Sequence, residues 1–258
     1  MSVTIKSPSE LKVIRRGGTL MGKIRDGVAK RAKPGVSTEE LECWAEERIL
    51  AVGGVPSFKH YQPDPSMRPF PSCLCISINE EVVHGPARPA RILQSGDVVG
   101  IDIGMRWPAV GGYFTDTAVT VGVGKVSVEA KQLIQVTREA LAIGIKQVKP
   151  GNYISDIGKA VEAFVKPYGY GIVRDLVGHG VGYAVHEEPA IPNYFDRRMK
   201  PILIEVGMVL AIEPMITLGS PAVETLADGW TIITADGKLA AHFEHTIIVG
   251  KKGAEIVT

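Results

Sequence analysis

Two histidines and a carboxylate stand out between Leu176 and Pro214. His179 sits in Gly178-His179-Gly180-Val181-Gly182, His186 follows Ala184-Val185, and Glu213 closes the apolar run Gly207 to Ile212. A carboxylate at the end of a greasy strand needs a partner, because an unpaired buried charge is very costly. A metal ion is the natural candidate. Three further acids lie in comparable settings: Asp102 after Gly96-Asp97-Val98-Val99-Gly100-Ile101, Asp116 between two threonines, and Glu244 between Phe243 and His245. Asp102, Asp116, His179, Glu213 and Glu244 make an oxygen-rich donor set suited to hard or borderline divalent ions. Four converging carboxylates repel one another and push their pKa values up unless cations offset the charge. Two such ions can activate a water for attack on a carbonyl or phosphoryl group.

Taken singly, each residue has an ordinary explanation. Asp102 can be a strand-end turn cap, Asp116 a solvent-facing hairpin residue, and His179 a backbone-bonded structural histidine. Glu213 can pair with Arg174, and Glu244 can be a surface ion-pair residue. His84 and His186 each precede a turn and can be plain strand-end histidines. As functional groups, neutral imidazoles beside a metal-bound substrate can donate to a developing oxyanion or move a proton.

The elements that must position these groups follow from periodicity. Apolar spacing predicts a helix over Ile14 to Arg31, ended by Pro34-Gly35. A second, capped at Ser37 or Thr38, runs to about Ala51. Pro63 to Pro71 reads as a surface loop, and Cys73 to Val83 as strand with a turn at Asn79-Glu80. Gly96 to Ile103 reads as a strand ending at a carboxylate. Its hairpin partner, through Asp116 to Val121, is expected to set Asp102 opposite Asp116. Helices are predicted over Val128 to Gln147 and from Ser155 to about Pro167. A strand through Glu213 follows, then a strand pair, Trp230 to Thr234 and Leu239 to Val249. Cys73 to Ile76 and Trp230 read as core.

The two halves of the chain echo each other. Lys33-Pro34-Gly35 recurs as Lys149-Pro150-Gly151, Val83-His84 as Val185-His186, and Gly96 to Asp102 as Gly207 to Glu213. Three matches in the same order, each roughly a hundred residues apart, suggest duplication of a half-domain. The expectation is an α/β (α+β) chain with a pseudo-two-fold axis, a mostly antiparallel central sheet and helices outside. It is a single domain over 1–258 with halves at about 10–122 and 126–250. Asp102 and Glu213 would then face each other across the axis.

Composition narrows the function classes. The net charge is +1, with 45% hydrophobic and 22% charged residues. Bulk electrostatics point to no nucleic acid, no run is long enough for a membrane span, and Met1 to Glu10 lacks a secretory centre. Three cysteines (Cys43, Cys73, Cys75) without finger spacing are expected as free thiols in a reducing cytoplasm.

Together, Asp102, Asp116, Gly-His179-Gly-Val-Gly, His186-Glu-Glu-Pro, Ile-Glu213-Pro-Met and Glu244-His-Thr-Ile resemble the type I methionine aminopeptidases. The resemblance spans the first helix to Val249. It implies the pita-bread fold and removal of the initiator methionine from nascent proteins with a small second residue. It implies two divalent ions (Co, Mn, Fe or Zn) held by the five ligands, with Asp116 and Glu244 shared or nearly so. Glu213 would act as catalytic base, and His84 and His186 would contact substrate and stabilise the tetrahedral intermediate, with His186 counted as catalytic beside Glu213. Phe70, Cys75 and Trp230 fall where the family builds its methionine pocket. Val185 stands where the family commonly has Phe, so an aromatic wall is expected to be missing there. A monomer, a cytoplasmic location and an association with the ribosome are further implications. Alternatives are a proline-specific peptidase of the same fold, which usually carries a further N-terminal domain, and a non-catalytic pita-bread binding protein, which should lack ligands.

Overall fold

Ser7 and Glu10 start the first helix. In the computed structural model, which describes residues 3–258, the Ser7 hydroxyl accepts from the Glu10 amide and the Glu10 carboxylate accepts from the Ser7 amide. With Pro8 in the first turn this is a complete capping box. Helix α1 (Pro8–Arg31) therefore begins before the apolar stripe does, because capping chemistry sets its start. Ser37 and Glu40 repeat the device for α2 (Thr38–Ala51). Ser127 caps α3 (Val128–Lys146), and α4 (Ile154–Val165) follows.

The strands in order are β1 (Val55–Pro56), β2 (Leu74–Ile78), β3 (Glu81–Val83), β4 (Val98–Trp107), β5 (Tyr113–Gly122), β6 (Gly171–Ile172), β7 (Gly178–Gly180), β8 (Glu187–Ile191), β9 (Val209–Ile212), β10 (Met215–Thr217), β11 (Val223–Thr225), β12 (Ile232–Thr234), β13 (Ala240–His242), β14 (His245–Gly250) and β15 (Gly253–Ile256). Every pairing among these strands is antiparallel. One sheet joins β1, β4, β2 and β5, and another runs β15-β14-β9-β7-β8. Two smaller sheets are ordered β13-β10-β6 and β11-β12-β3. Helices α1 and α2 share a core with the first sheet through Met21, Leu41, Ile49, Ile101 and Ile103. Helices α3 and α4 pack Leu141 and Ile157 with Leu210 and Ile212 of β9. This is the expected architecture of helices on antiparallel sheet.

Expectations for two segments need correction. In the β4–β5 hairpin Asp102 lies opposite Ala118, and Asp116 opposite Gly104. The turn is centred one residue later than assumed, which slides the register by two. An even slide keeps both carboxylates on one face. Asp102 also sits inside β4, not at its end, since the strand runs on to Trp107. Second, Trp230–Thr234 and Leu239–Val249 are not a strand pair. β12 pairs with β11 and β3, whereas β13 pairs with β10 and β14 with β9 and β15. The chain breaks at Phe243-Glu244 to change sheets. Glu213-Pro214 makes the corresponding break between β9 and β10.

Three threonines stitch β5 to the break at Phe243-Glu244. Thr246 Oγ1 accepts from the Asp116 amide (2.9 Å) and donates to the Asp116 carbonyl (2.8 Å). Thr117 Oγ1 donates to the Glu244 carbonyl (2.8 Å), and Thr120 Oγ1 donates to the His242 carbonyl (2.7 Å). The Glu244 and Ala118 main chains also bond to each other. These bonds fix Asp116 and Glu244 relative to one another. Thr246→Val keeps the shape but strands the buried Asp116 amide and carbonyl. It is expected to cost about 1–3 kcal/mol in urea denaturation, and no loss would show that the stitch contributes nothing.

Candidate metal centre

Each of the five proposed ligands comes from a strand or a strand break. Asp102 projects from β4, Asp116 from β5 and His179 from β7, while Glu213 and Glu244 sit at the two sheet-changing breaks. The structure brings all five to one cavity of about 540 Å³. One ligand atom each from Asp116, His179 and Glu244 lie within 4.8 Å of one another. Glu213 Oε1 is 3.4 Å from His179 Nε2. Arg174, the alternative partner for Glu213, instead pairs with Glu162 at 2.8 Å. Glu244 is 2% exposed, so it is no surface ion-pair residue.

The local electrostatics show a cluster in want of positive charge. Burial pushes Asp102 up to about 7, and neighbouring Glu213 adds to the shift while His242 opposes it. Burial pushes Glu213 up to about 8. Asp116 and Glu244 lie well above the usual carboxylate range, first through burial and then through repulsion by the other acids. Asp102 Oδ1 and Glu244 Oε1 are buried with no hydrogen-bond partner. His179 Nδ1 lies 2.9 Å from the Gly180 carbonyl and must donate to it, since that oxygen can only accept. The Nε2 lone pair is thereby left facing the acids, the tautomer a metal ligand requires. Buried orphan oxygens, a presented imidazole nitrogen and uncompensated acids together fit divalent cations.

The substrate-side candidates line the same cavity. His84, His186, Phe70, Cys75 and Trp230 are all among its lining residues. The His186 ring stands edge-on to His179, centroids 4.4 Å apart, and shares a 2.8 Å hydrogen bond with the Tyr61 hydroxyl through Nδ1. Burial, with His242 and His186 nearby, lowers His84 to about 4. Phe70 and Trp230 meet edge to face at 5.2 Å, and Trp230 Nε1 donates to the Arg68 carbonyl, drawing the proline-rich loop over the pocket.

Three contributors escaped the sequence reading. His242 is 3% exposed, and its unpartnered Nε2 stands 3.6 Å from Glu213 Oε2. Tyr61 orients His186. Phe58 packs in one buried cluster with Phe70, Cys75 and Val185. It supplies an aromatic surface beside Val185, where one was expected to be missing. Its ring lies on β4 at Gly104, where a Cβ would stand 2.7 Å from Phe58 Cε1 and 2.1 Å from Ser57 Oγ. A glycine inside a strand signals such close approach, and it was the available clue. A second cluster, Glu42, Glu46 and Cys73, has its own cations. Lys59 reaches Glu46 at 2.6 Å and Arg88 approaches Glu42 at 3.6 Å.

Comparison with known proteins agrees with this geometry. Residues 12–251 match the profile of metallopeptidase family M24. The chain is 43% identical over 256 residues to methionine aminopeptidase 1 of Bacillus subtilis, covering 99% of each. It superposes on the crystal structure of methionine aminopeptidase from Thermotoga maritima with a TM-score of 0.92 and 37% identity, covering 100% of this chain and 99% of that one. The prolidase of Pyrococcus furiosus shares the fold at 22% identity and a TM-score of 0.76, with 98% of this chain covering 65% of that one.

Raised carboxylate values mean that the folded, metal-free protein holds protons that the unfolded chain, with ordinary values near about 4, has released. Its stability is therefore lost as pH rises through about 7 (Asp102) and about 8 (Glu213). The lowered histidines act elsewhere, costing stability only as pH falls below about 6.5. Chelator-treated protein should lose at least about 1 kcal/mol per pH unit between about pH 6.5 and 8, above the histidine range and below the upper of the two raised values, read by urea denaturation. Saturating divalent metal should flatten the slope, and a flat metal-free profile would refute this account.

Proposed function

The chain belongs to metallopeptidase family M24 and acts as a methionine aminopeptidase, and on that premise we propose which of its residues do the work. Asp102, Asp116, His179, Glu213 and Glu244 hold two divalent ions drawn from Co, Mn, Fe or Zn. Bound there, the ions supply an acidified water and polarise the scissile carbonyl. Glu213, whose Oε1 lies 3.4 Å from His179 Nε2, is the carboxylate placed to accept a proton from the attacking water and return it to the departing amine. His242 Nε2 stands 3.6 Å from that carboxylate. His84 stays neutral at working pH and donates to the carbonyl oxygen as it gains charge. His186, held by Tyr61, contacts the substrate main chain.

The apolar end of the cavity takes the methionine side chain. Phe58, Phe70 and Cys75 form its buried wall, packed against Val185, with Trp230 alongside. The observation that carries the reading is the join between wall and acids: Cys75 of β2 lies directly opposite Asp102 of β4. An apolar side chain seated in the wall thus sets its adjoining backbone against the carboxylates. The substrates are N-termini of nascent proteins, with initiator methionine before a small residue. The same reading takes 1–258 as one catalytic domain of two halves, about 10–122 and 126–250, supported by the repeated sequence elements. A cytoplasmic, monomeric enzyme that meets its substrates at the ribosome completes it. Among the described residues, no helix is long and apolar enough to cross a membrane. The likeness to prolidase extends to the fold alone.

Chelation should abolish hydrolysis of Met-Ala-Ser and added divalent metal restore it; full activity in stripped protein would sink the reading. Glu213→Gln should lower kcat by about 10²–10⁴-fold without lowering metal-free stability, since it removes a buried acid. Phe58→Ala should open the pocket and raise kcat/KM for Phe-led relative to Met-led peptides. Unchanged selectivity would remove Phe58 from the wall.

A further inference from the structure

A second buried charge pair lies outside the carboxylate cluster, between the N-terminal segment and the turn that carries His186. Lys6 is 3% exposed, and its Nζ is 2.8 Å from Oε2 of Glu187, whose side chain is 5% exposed. Thr4 Oγ1 donates to the same oxygen at 2.5 Å and accepts from Lys6. The other oxygen, Oε1, accepts the backbone amides of Ala184 (3.0 Å) and Tyr183. Glu187 is thus gripped from two sides, by the segment 4–6 and by its own turn. The segment is itself tied down, since the Lys6 amide donates to the Gly207 carbonyl at 2.9 Å. Room for the lysine comes from Gly182, at φ +138, where a Cβ would sit 2.7 Å from Lys6 Cε. The Tyr183 ring lies 5.0 Å from Nζ, and its hydroxyl donates to Glu10 at 3.0 Å.

The turn so clamped is the link between two site residues. Gly180, next to His179, pairs with Glu187, next to His186. A buried lysine and glutamate are costly unless paired. Here the pairing keeps a charged acceptor in place for two turn amides, which an apolar contact cannot do. We propose that Lys6 is a positioning residue: through Glu187 it holds the 181–186 turn and so sets His186 against Tyr61 and His179. The inference rests on the reading of His186 as a substrate contact.

Two measurements on the full chain test it. In Lys6→Met, the Tyr183 and Ala184 amides should exchange hydrogen at least about tenfold faster, the scale of one lost charge-assisted bond. Unchanged exchange overturns the proposal. In kinetics on Met-Ala-Ser with metal present, Lys6→Met should lower kcat about tenfold through misplacement, with KM little changed. The same substitution should have no further effect in a His186→Ala background. Equal losses in both backgrounds would mean that Lys6 does not act through His186, and would overturn the proposal. Wild-type kinetics in His186→Ala would instead refute the role of His186, and exchange alone would then decide whether Lys6 holds the turn. Should Lys6→Met fail to fold, Lys6→Met/Glu187→Gln removes both charges, keeps an amide acceptor, and takes its place in both measurements.

Discussion

Four carboxylates packed into one buried space repel each other, and the rest of the structure exists to hold them there. Asp102, Asp116, Glu213 and Glu244 all resist ionisation in this setting, with burial as the largest cause in each. A chain free to relax would let them part. It does not, because each acid is rooted in a strand or a strand break whose backbone bonds are already committed. The stored repulsion becomes affinity for divalent charge, since a bound cation relieves every member of the cluster at once.

The rooting is cross-sheet. β4 and β5 bring Asp102 and Asp116 to one face, and the threonine hydroxyls fasten that face to the segment around Glu244. The main chain changes sheets at Glu213 and again at Glu244. Those breaks leave two side chains free to turn inward where a continuous strand would alternate them in and out. The apolar wall is built on the same scaffold, Cys75 from β2 and Phe58 lying on β4 at Gly104. Recognition and chemistry therefore share one rigid floor.

Much of this was legible in the residues. Helix caps, Lys-Pro-Gly stops and the apolar runs marked the elements, and Gly-His-Gly and Ile-Glu-Pro marked two members of the buried cluster in advance. What escaped has physical causes. A period of two fixes which face a side chain takes but not which residue it opposes, so the hairpin register slipped by two while the shared face survived. His242 was hidden because Leu239 to Val249 reads as one strand, and nothing local shows the chain changing sheets at Phe243. Phe58 and Tyr61 stand in an aperiodic stretch whose position depends on a strand almost fifty residues away.

The cross-sheet stitching also sets an order of events during synthesis. Asp102 and Asp116 belong to a hairpin of local contacts that can form early, whereas Glu244 and the Thr246 hydroxyl that grips Asp116 arrive more than a hundred residues later. Contacts of such separation close last, after loop-closure entropy has been overcome. An emerging chain thus carries two members of the cluster until His179 is made, and all five only once Glu244 has been added. The catalyst completes itself only when its final hairpin docks.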